Sequence, residues 1–143
     1  MATLSLTISE EITINGGQKS TSNTLDITGV TQLDQRIVKV GTSEQSLVLF
    51  DSSEAAGQFA DSNVKYLRIT NTDTSNHVTL RMTAGDDEYF VKVSAGNTFL
   101  LFDTVMDADS NTTVATASLA NIDSIKAQAN TAACNLELFI ASS

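Results

Sequence analysis

The sequence has 143 residues, of which 17 are acidic and eight are basic, so its formal net charge is −9. The few basic residues form no stripe, and we therefore expect neither a nucleic-acid interface built on phosphate contacts nor binding to an anionic membrane surface. A single cysteine excludes an intramolecular disulfide framework, and no apolar run approaches the length of a membrane-spanning helix.

The first predicted strand shows the alternation that dominates the whole sequence. Residues 4–8 alternate leucine or isoleucine with polar side chains, and Ile12 and Ile14 continue the pattern, which is typical of a strand with one apolar face. The Asn-Gly-Gly run at 15–17 is a hairpin turn signal. Residues 18–26 are polar and predict a loop or an edge strand. The start of the chain has neither a basic n-region nor a long apolar h-region, so no secretory signal is expected.

The middle of the sequence contains two short strands, a loop and a hairpin signal. The strands are predicted at 36–40 and 46–50, and residues 51–62 predict a loop with at most about one turn of helix. The clearest hairpin signal follows, because two alternating runs, 64–70 and 77–83, flank a polar loop.

The second half of the sequence continues with short alternating runs between glycine-containing or polar turns. The remaining strands are predicted at 88–93, 98–102, 121–128 and 135–141. Residues 103–118 are polar and rich in alanine and threonine, which predicts a longer loop with a short strand near 113–116. The chain therefore has about nine or ten predicted strands and almost no helix.

These patterns predict an all-β, antiparallel β-sandwich with a jelly-roll-like arrangement, formed as one domain over residues 1–143. Antiparallel pairing is expected because parallel pairs need crossover connections that are usually helical. The expected core positions lie on the consistent apolar phases of their strands: Leu67, Ile69, Val78, Leu80, Met82, Val91 and Leu138. The first and last strands, 4–8 and 135–141, carry few charges and no proline, so either of them as an edge would need a neighbour to cover it.

Residues that carry chemistry are few. His77 opens a predicted strand, and Cys134 has alanine, asparagine and leucine neighbours that offer no base, so neither predicts a nucleophilic or acid–base site. One histidine and one cysteine do not make a zinc site, and neither a G-x-S-x-G nor a phosphate-binding glycine motif occurs. We therefore expect no enzyme, no catalytic residue and no cofactor. A hydrolase that uses a scattered carboxylate pair stays an alternative.

One acidic run resembles the start of a calcium loop. Residues 107–111 have the D-x-D-x-N spacing, but the loop continues with threonine at its sixth position and serine at its twelfth, where an EF-hand needs glycine and glutamate. We expect no tight metal site, and a looser Ca²⁺ site at Asp103, Asp107 and Asp109 stays open. The acidic residues 86–88 predict a solvated turn.

Three segments resemble small structural proteins encoded by tailed phages of marine bacteria, cyanophages especially. These segments are 1–16 (MATLSLTISEEITING), 64–82 (VKYLRITNTDTSNHVTLRM) and 138–143 (LFIASS). The resemblance implies a virion component made in the host cytoplasm: a head decoration or cement protein, or a tail, neck or fibre component. It carries over no catalytic or binding residue. Together with the poorly protected terminal strands, it leads us to expect other capsid or tail proteins as partners and a homo-oligomer. A carbohydrate-binding β-sandwich that holds a host glycan is the alternative, and exposed aromatic rings along a groove would favour it.

Overall fold

The computed structural model describes residues 1–103, 107–109 and 119–143, which form β-strands joined by turns and loops. The strands are β1 (Ala2–Ile14), β2 (Gly17–Val30), β3 (Gln32–Val40), β4 (Gln45–Asp51), β5 (Gln58–Ala60), β6 (Val64–Asn71), β7 (Val78–Ala84), β8 (Asp87–Val93), β9 (Thr98–Phe102), β10 (Asp107–Ala108), β11 (Ala120–Asn121), β12 (Ser124–Ala129) and β13 (Cys134–Ser142). No helix occurs in these residues, so the all-β class is confirmed. The same residues accordingly contain no helix long and apolar enough to cross a membrane.

Two larger sheets pack on each other in the manner of a sandwich. One has the strand order β3-β13-β6-β9, and the other has the order β5-β4-β12-β7-β8. Side chains from both sheets form one buried cluster, which includes six of the seven predicted core residues: Leu67, Ile69, Val78, Leu80, Met82 and Leu138. Val91 is half-buried and packs against that cluster. The predicted sandwich is therefore confirmed, whereas its jelly-roll connection stays a prediction.

The predicted hairpin at 64–83 is wrong, because its two strands lie in different sheets. β6 pairs with β13 and β9, whereas β7 pairs with β12 and β8. The loop between them is held by Asn71, a buried residue whose amide donates to the carbonyls of Asn76 (2.9 Å) and Val93 (3.2 Å). Asp73 accepts two backbone N–H groups of the loop at 2.8 and 2.6 Å. These bonds direct the chain across the core, so that both strands face it from opposite sides.

Three other expectations about pairing need correction. β13 lies between β3 and β6, so residues 135–141 form a central strand and not an edge. β5 pairs parallel with β4, although no helix connects them. β5 has only three residues, so the short loop at 52–57 is long enough to place it beside the end of β4. The predicted strand at 121–128 is divided between β11 and β12, and the one predicted at 113–116 lies outside the described residues.

β1 and β2 form a separate two-stranded ribbon. They pair antiparallel along their whole length, so residues 18–26 form an edge strand and not a loop. Asn15 and Gly16 occupy the predicted turn with φ of 50° and 76°, which is the left-handed geometry of a two-residue type I′ hairpin. At about 3.4 Å per residue, a strand of 13 residues is about 44 Å long.

Candidate interaction surface

The two faces of the ribbon differ in chemistry, because the apolar residues of β1 all lie on one face and Leu25 and Ile27 of β2 lie on the same face. Three hydrogen bonds join the strands on one face: Ser5 to Asp26 (2.7 Å), Thr7 with Thr24 (3.0 Å) and Ser9 with Ser22 (3.2 Å). The opposite face, which we call the apolar ribbon face, contains seven apolar residues, Leu4, Leu6, Ile8, Ile12, Ile14, Leu25 and Ile27, together with Glu10, Lys19, Thr21 and Asn23. One face is thus polar throughout, whereas the other carries a row of apolar side chains along β1 and at the β3 end of β2.

The apolar ribbon face lacks a covering layer among the described residues. Ile12 is 54% exposed and Leu25 is 41% exposed, and the extensive contacts of β1 and β2 are those that they make with each other. The leucines of β1 are half-buried. Because contiguous exposed apolar surface marks interaction sites in water-soluble domains, this face is the first candidate site of the molecule.

The end of the ribbon that is joined to β3, which we call its base, lies close to the four-stranded sheet. Leu25 and Ile27 border a cavity of about 480 Å³ that Phe102, at the end of β9, borders from the other side. Lys65 lines the same cavity. The cavity therefore joins the apolar ribbon face to the outward-facing side of the sheet.

The outward-facing side of the four-stranded sheet, which we call the outer sheet face, is also partly apolar. Cross-strand pairing places two rows side by side: Leu33, Ala141, Tyr66 and Phe102, and then Gln35, Phe139, Arg68 and Leu100. The Tyr66 and Phe139 rings meet edge to face with centroids 5.7 Å apart. Leu33 is 60% exposed, and Ile37 in the next row is 72% exposed. A sheet face that presents large apolar side chains to water is a second part of the candidate surface.

An ion pair lies within the outer sheet face. Arg68 donates to Glu137 at 2.9 Å and to the Thr70 hydroxyl at 2.9 Å, and its guanidinium lies 5.9 Å from the centre of the Phe139 ring. The hydrogen bond and the charge of Arg68 lower the pKa of Glu137. Arg68 and Glu137 are thus paired with each other, and the exposed apolar side chains of this face are those of Leu33 and Ile37 at its β3 edge and of Phe102 at its β9 edge.

The two residues that could carry chemistry lie on either side of the loop before β7. His77 is half-buried just before β7, and Cys134 is completely buried at the start of β13, with its Sγ 3.8 Å from the carbonyl oxygen of Asn76. Burial raises the pKa of the Cys134 thiol, and the charge of Asp73 adds to this effect. A buried thiol whose pKa is raised is a poor nucleophile, and Cys134 packs in the core cluster as a small apolar side chain.

The predicted acidic loop is described only in part. Asp107 and Ala108 form β10, which pairs with β11, whereas residues 110–111 lie outside the described residues. Within the described ranges, no group of three or more histidine, cysteine or acidic side chains is arranged to hold a metal ion. In the other acidic turn, Glu88 forms an ion pair with Arg81 at 3.2 Å, so that turn is partly paired.

A second cavity, of about 520 Å³, lies between β3 and the loop before β5. Arg36 borders it, donates to the Leu47 carbonyl at 2.6 Å and pairs with Asp34 at 3.3 Å. These two contacts use the guanidinium of Arg36 for bonds to the protein itself. Charges that point inward from an edge strand also oppose pairing with another sheet. The cavity is therefore better explained by protection of the β3 edge than by ligand binding.

Comparison with known protein families, curated proteins and solved structures finds no match to the chain. The candidate surface must therefore be interpreted from its own geometry. From the sequence, only β1 could be recognised as part of this surface. The two apolar residues of β2, Leu25 and Ile27, stand in an otherwise polar segment. Leu25 and Ile27 pair with Leu6 and Leu4. A hairpin register counted outward from the turn at residues 15–16 predicts this pairing.

Proposed function

We propose that the chain is a non-enzymatic structural protein of a tailed-phage virion, a head decoration or cement protein that acts through protein–protein contacts. The observation that carries this proposal is the apolar ribbon face, a long apolar surface without a covering layer in the described part of the chain. The resemblance of residues 1–16, 64–82 and 138–143 to marine phage proteins supports the virion as the place where that surface is used.

The geometry favours a contact protein for a physical reason. A ribbon about 44 Å long extends the reach of a small domain, and it presents apolar side chains along one face only. A surface of this shape suits a protein that holds neighbouring subunits together, since such contacts are made by shape complementarity and buried apolar area. A tail, neck or fibre component would use the same surface, so its place in the particle must be measured.

The carbohydrate-binding alternative receives no specific support. Phe90 is 60% exposed on the five-stranded sheet, whereas the exposed ring of Phe102 lies on the outer sheet face. Because these two rings lie on different sheets of the sandwich, they do not form one platform for a sugar. Among the described residues that line the cavity beside Phe102, no second aromatic ring occurs.

The test is binding of the purified protein to phage particles. Mass spectrometry of purified virions of the phage that encodes the chain should detect it, and the protein should cosediment with heads prepared without it. Ile12→Asp, on the apolar ribbon face, should reduce cosedimentation about tenfold or more, whereas Thr13→Asp, on the polar face of the same strand, should not. Absence from virions, or equal binding of the two variants, would contradict the proposal.

A further inference from the structure

The ribbon is a structure that needs a partner. An isolated two-stranded hairpin is at best marginally stable in water, and β1 and β2 are the only strands of their sheet in the described chain. We propose that the ribbon of each copy lies across the outer sheet face of a second copy, in a reciprocal exchange that forms a dimer. This inference rests on the proposed function, because it assigns a partner to the same surface.

The ribbon of a copy is held away from most of its own outer sheet face. Only Thr31 separates β2 from β3, and its N–H donates to the Ser142 carbonyl at 2.9 Å. This bond holds the base of the ribbon at the end of the four-stranded sheet. The ribbon consequently meets its own sheet at Phe102. Leu33 and Ile37, on the edge strand β3, stay exposed, whereas Ala141 and Tyr66 in the row of Leu33 are buried within the chain.

The two surfaces match in chemistry. A ribbon packs on a sheet as a further layer about 10 Å away, with apolar side chains between them. Among the charged residues of the ribbon, Glu11 and Asp26 lie on the polar face, whereas Glu10 and Lys19 lie on the apolar ribbon face, which is therefore neutral. The outer sheet face has two basic residues and one acidic residue, a net charge of +1: Lys39, Arg68 and Glu137. A neutral face against a weakly basic one avoids the repulsion that acidic surfaces of two copies would cause.

The area favours a reciprocal exchange over other arrangements. The longest strands of the outer sheet face have nine residues, about 31 Å, so a ribbon about 10 Å wide covers roughly 300 Å² of that face. A single ribbon contact therefore buries roughly 600 Å² in total, and two ribbons packed face to face over their full length of about 44 Å bury roughly 800 Å², both within the size of a crystal-packing contact. Two exchanged ribbons bury roughly 1,200 Å², which reaches the lower end of a standard specific interface.

The first experiment is light scattering of the purified full chain over a range of concentrations. We expect a dimer, with twice the chain mass of 15.2 kDa. Leu25→Glu on the apolar ribbon face and Ile37→Glu on the outer sheet face should each raise the dimer Kd about tenfold or more. The controls Thr24→Glu, on the polar ribbon face, and Phe90→Glu, on the other sheet, should leave the Kd unchanged. Circular dichroism verifies that each variant keeps its β structure.

The second experiment identifies which surfaces meet. A tagged Leu25→Cys chain is mixed with an untagged Ile37→Cys chain and treated with a bifunctional maleimide; Cys134 is completely buried and should not compete. The exchange predicts cross-linked pairs of the two different chains. Pairs formed by Leu25→Cys alone would instead indicate ribbons packed on each other and would overturn the proposal.

The outcomes separate this inference from the proposed function. A protein that stays monomeric at all concentrations but binds phage heads through the ribbon overturns the exchange and leaves the virion role intact. A dimer that loses its stability with Leu25→Glu but is absent from virions supports the exchange and contradicts the virion role.

Discussion

The ribbon and the sandwich use the same alternation of apolar and polar residues, yet only the sandwich buries its apolar side. Leu67 in β6 and Leu80 in β7 are completely buried, because each faces a second sheet. Ile12 in β1 and Leu25 in β2 are equally regular in phase but exposed. Alternation therefore encodes which residues share a face, whereas burial also requires a second layer, and the described residues do not supply that layer for the ribbon.

The largest expected difference between the two regions is in truncations of apolar side chains. Leu80→Ala should lower the free energy of unfolding by about 2–5 kcal/mol, because it leaves a cavity in a closed core. Ile12→Ala should change it by about 0.5 kcal/mol or less in the monomer, because its side chain is exposed. Urea unfolding at low protein concentration measures both. A loss below about 1 kcal/mol for Leu80→Ala would contradict the assigned core.

The next effect concerns the loop that carries the chain from one sheet to the other. Asn71→Ala should cost about 1–3 kcal/mol, because it removes a buried donor from the carbonyl of Val93 and a partly buried one from the carbonyl of Asn76. Thr74→Ala, at an exposed position of the same loop, is the matched control and should stay within about 0.5 kcal/mol of the wild type. Equal unfolding midpoints in urea for the two variants would contradict this role of Asn71.

A smaller effect should appear in acid. Backbone N–H groups of Asn76 and Ser75 lower the pKa of Asp73, and Arg68 lowers that of Glu137. Because these folded pKa values lie below the unfolded values near 4, the stabilisation is present above about pH 4 and is lost as the pH falls through the folded values. The Tm of Asp73→Asn should therefore fall less steeply than that of the wild type below about pH 4. An unchanged slope would contradict the contribution of Asp73.

The smallest expected effect is that of metal removal. The acidic loop at 107–118 lacks the glycine and the glutamate that complete a calcium site, so EDTA should leave the Tm unchanged. Bound ligand stabilises a fold by mass action. A Tm that falls by several degrees with EDTA and recovers with added Ca²⁺ would therefore reveal a site at Asp103, Asp107 and Asp109.

The properties that could be predicted from the sequence are those encoded locally. Alternation within single strands predicted the all-β class and placed Leu67, Val78 and Leu138 in the core, because a strand's phase depends only on its own residues. The turn at Asn15 and Gly16 was also predicted, since both residue types tolerate positive φ.

Pairing between strands could not be predicted in the same way. The runs at 64–70 and 77–83 look like a hairpin because their lengths and loop are suitable, but the buried amide of Asn71 directs them into different sheets. Nothing local to residues 135–141 indicates that β3 and β6 lie on both sides of them. For the same reason, the outer sheet face, which four strands assemble from distant parts of the chain, was not foreseen.

The central place of β13 has a consequence for the kinetics of folding. The ribbon pairs residues close in sequence and forms as a local hairpin, an event of about 1–10 μs. The four-stranded sheet closes only when β13 inserts between β3 and β6, and its pairing of Ser142 with Gln32 joins residues 110 positions apart. At about 5–20 residues per second, the ribosome needs roughly 5–20 s to synthesise that interval. The inner edge of β3 stays unpaired during this time, and that of β6 stays unpaired from its own synthesis until β13 follows; unpaired edges of this kind are sites of aggregation.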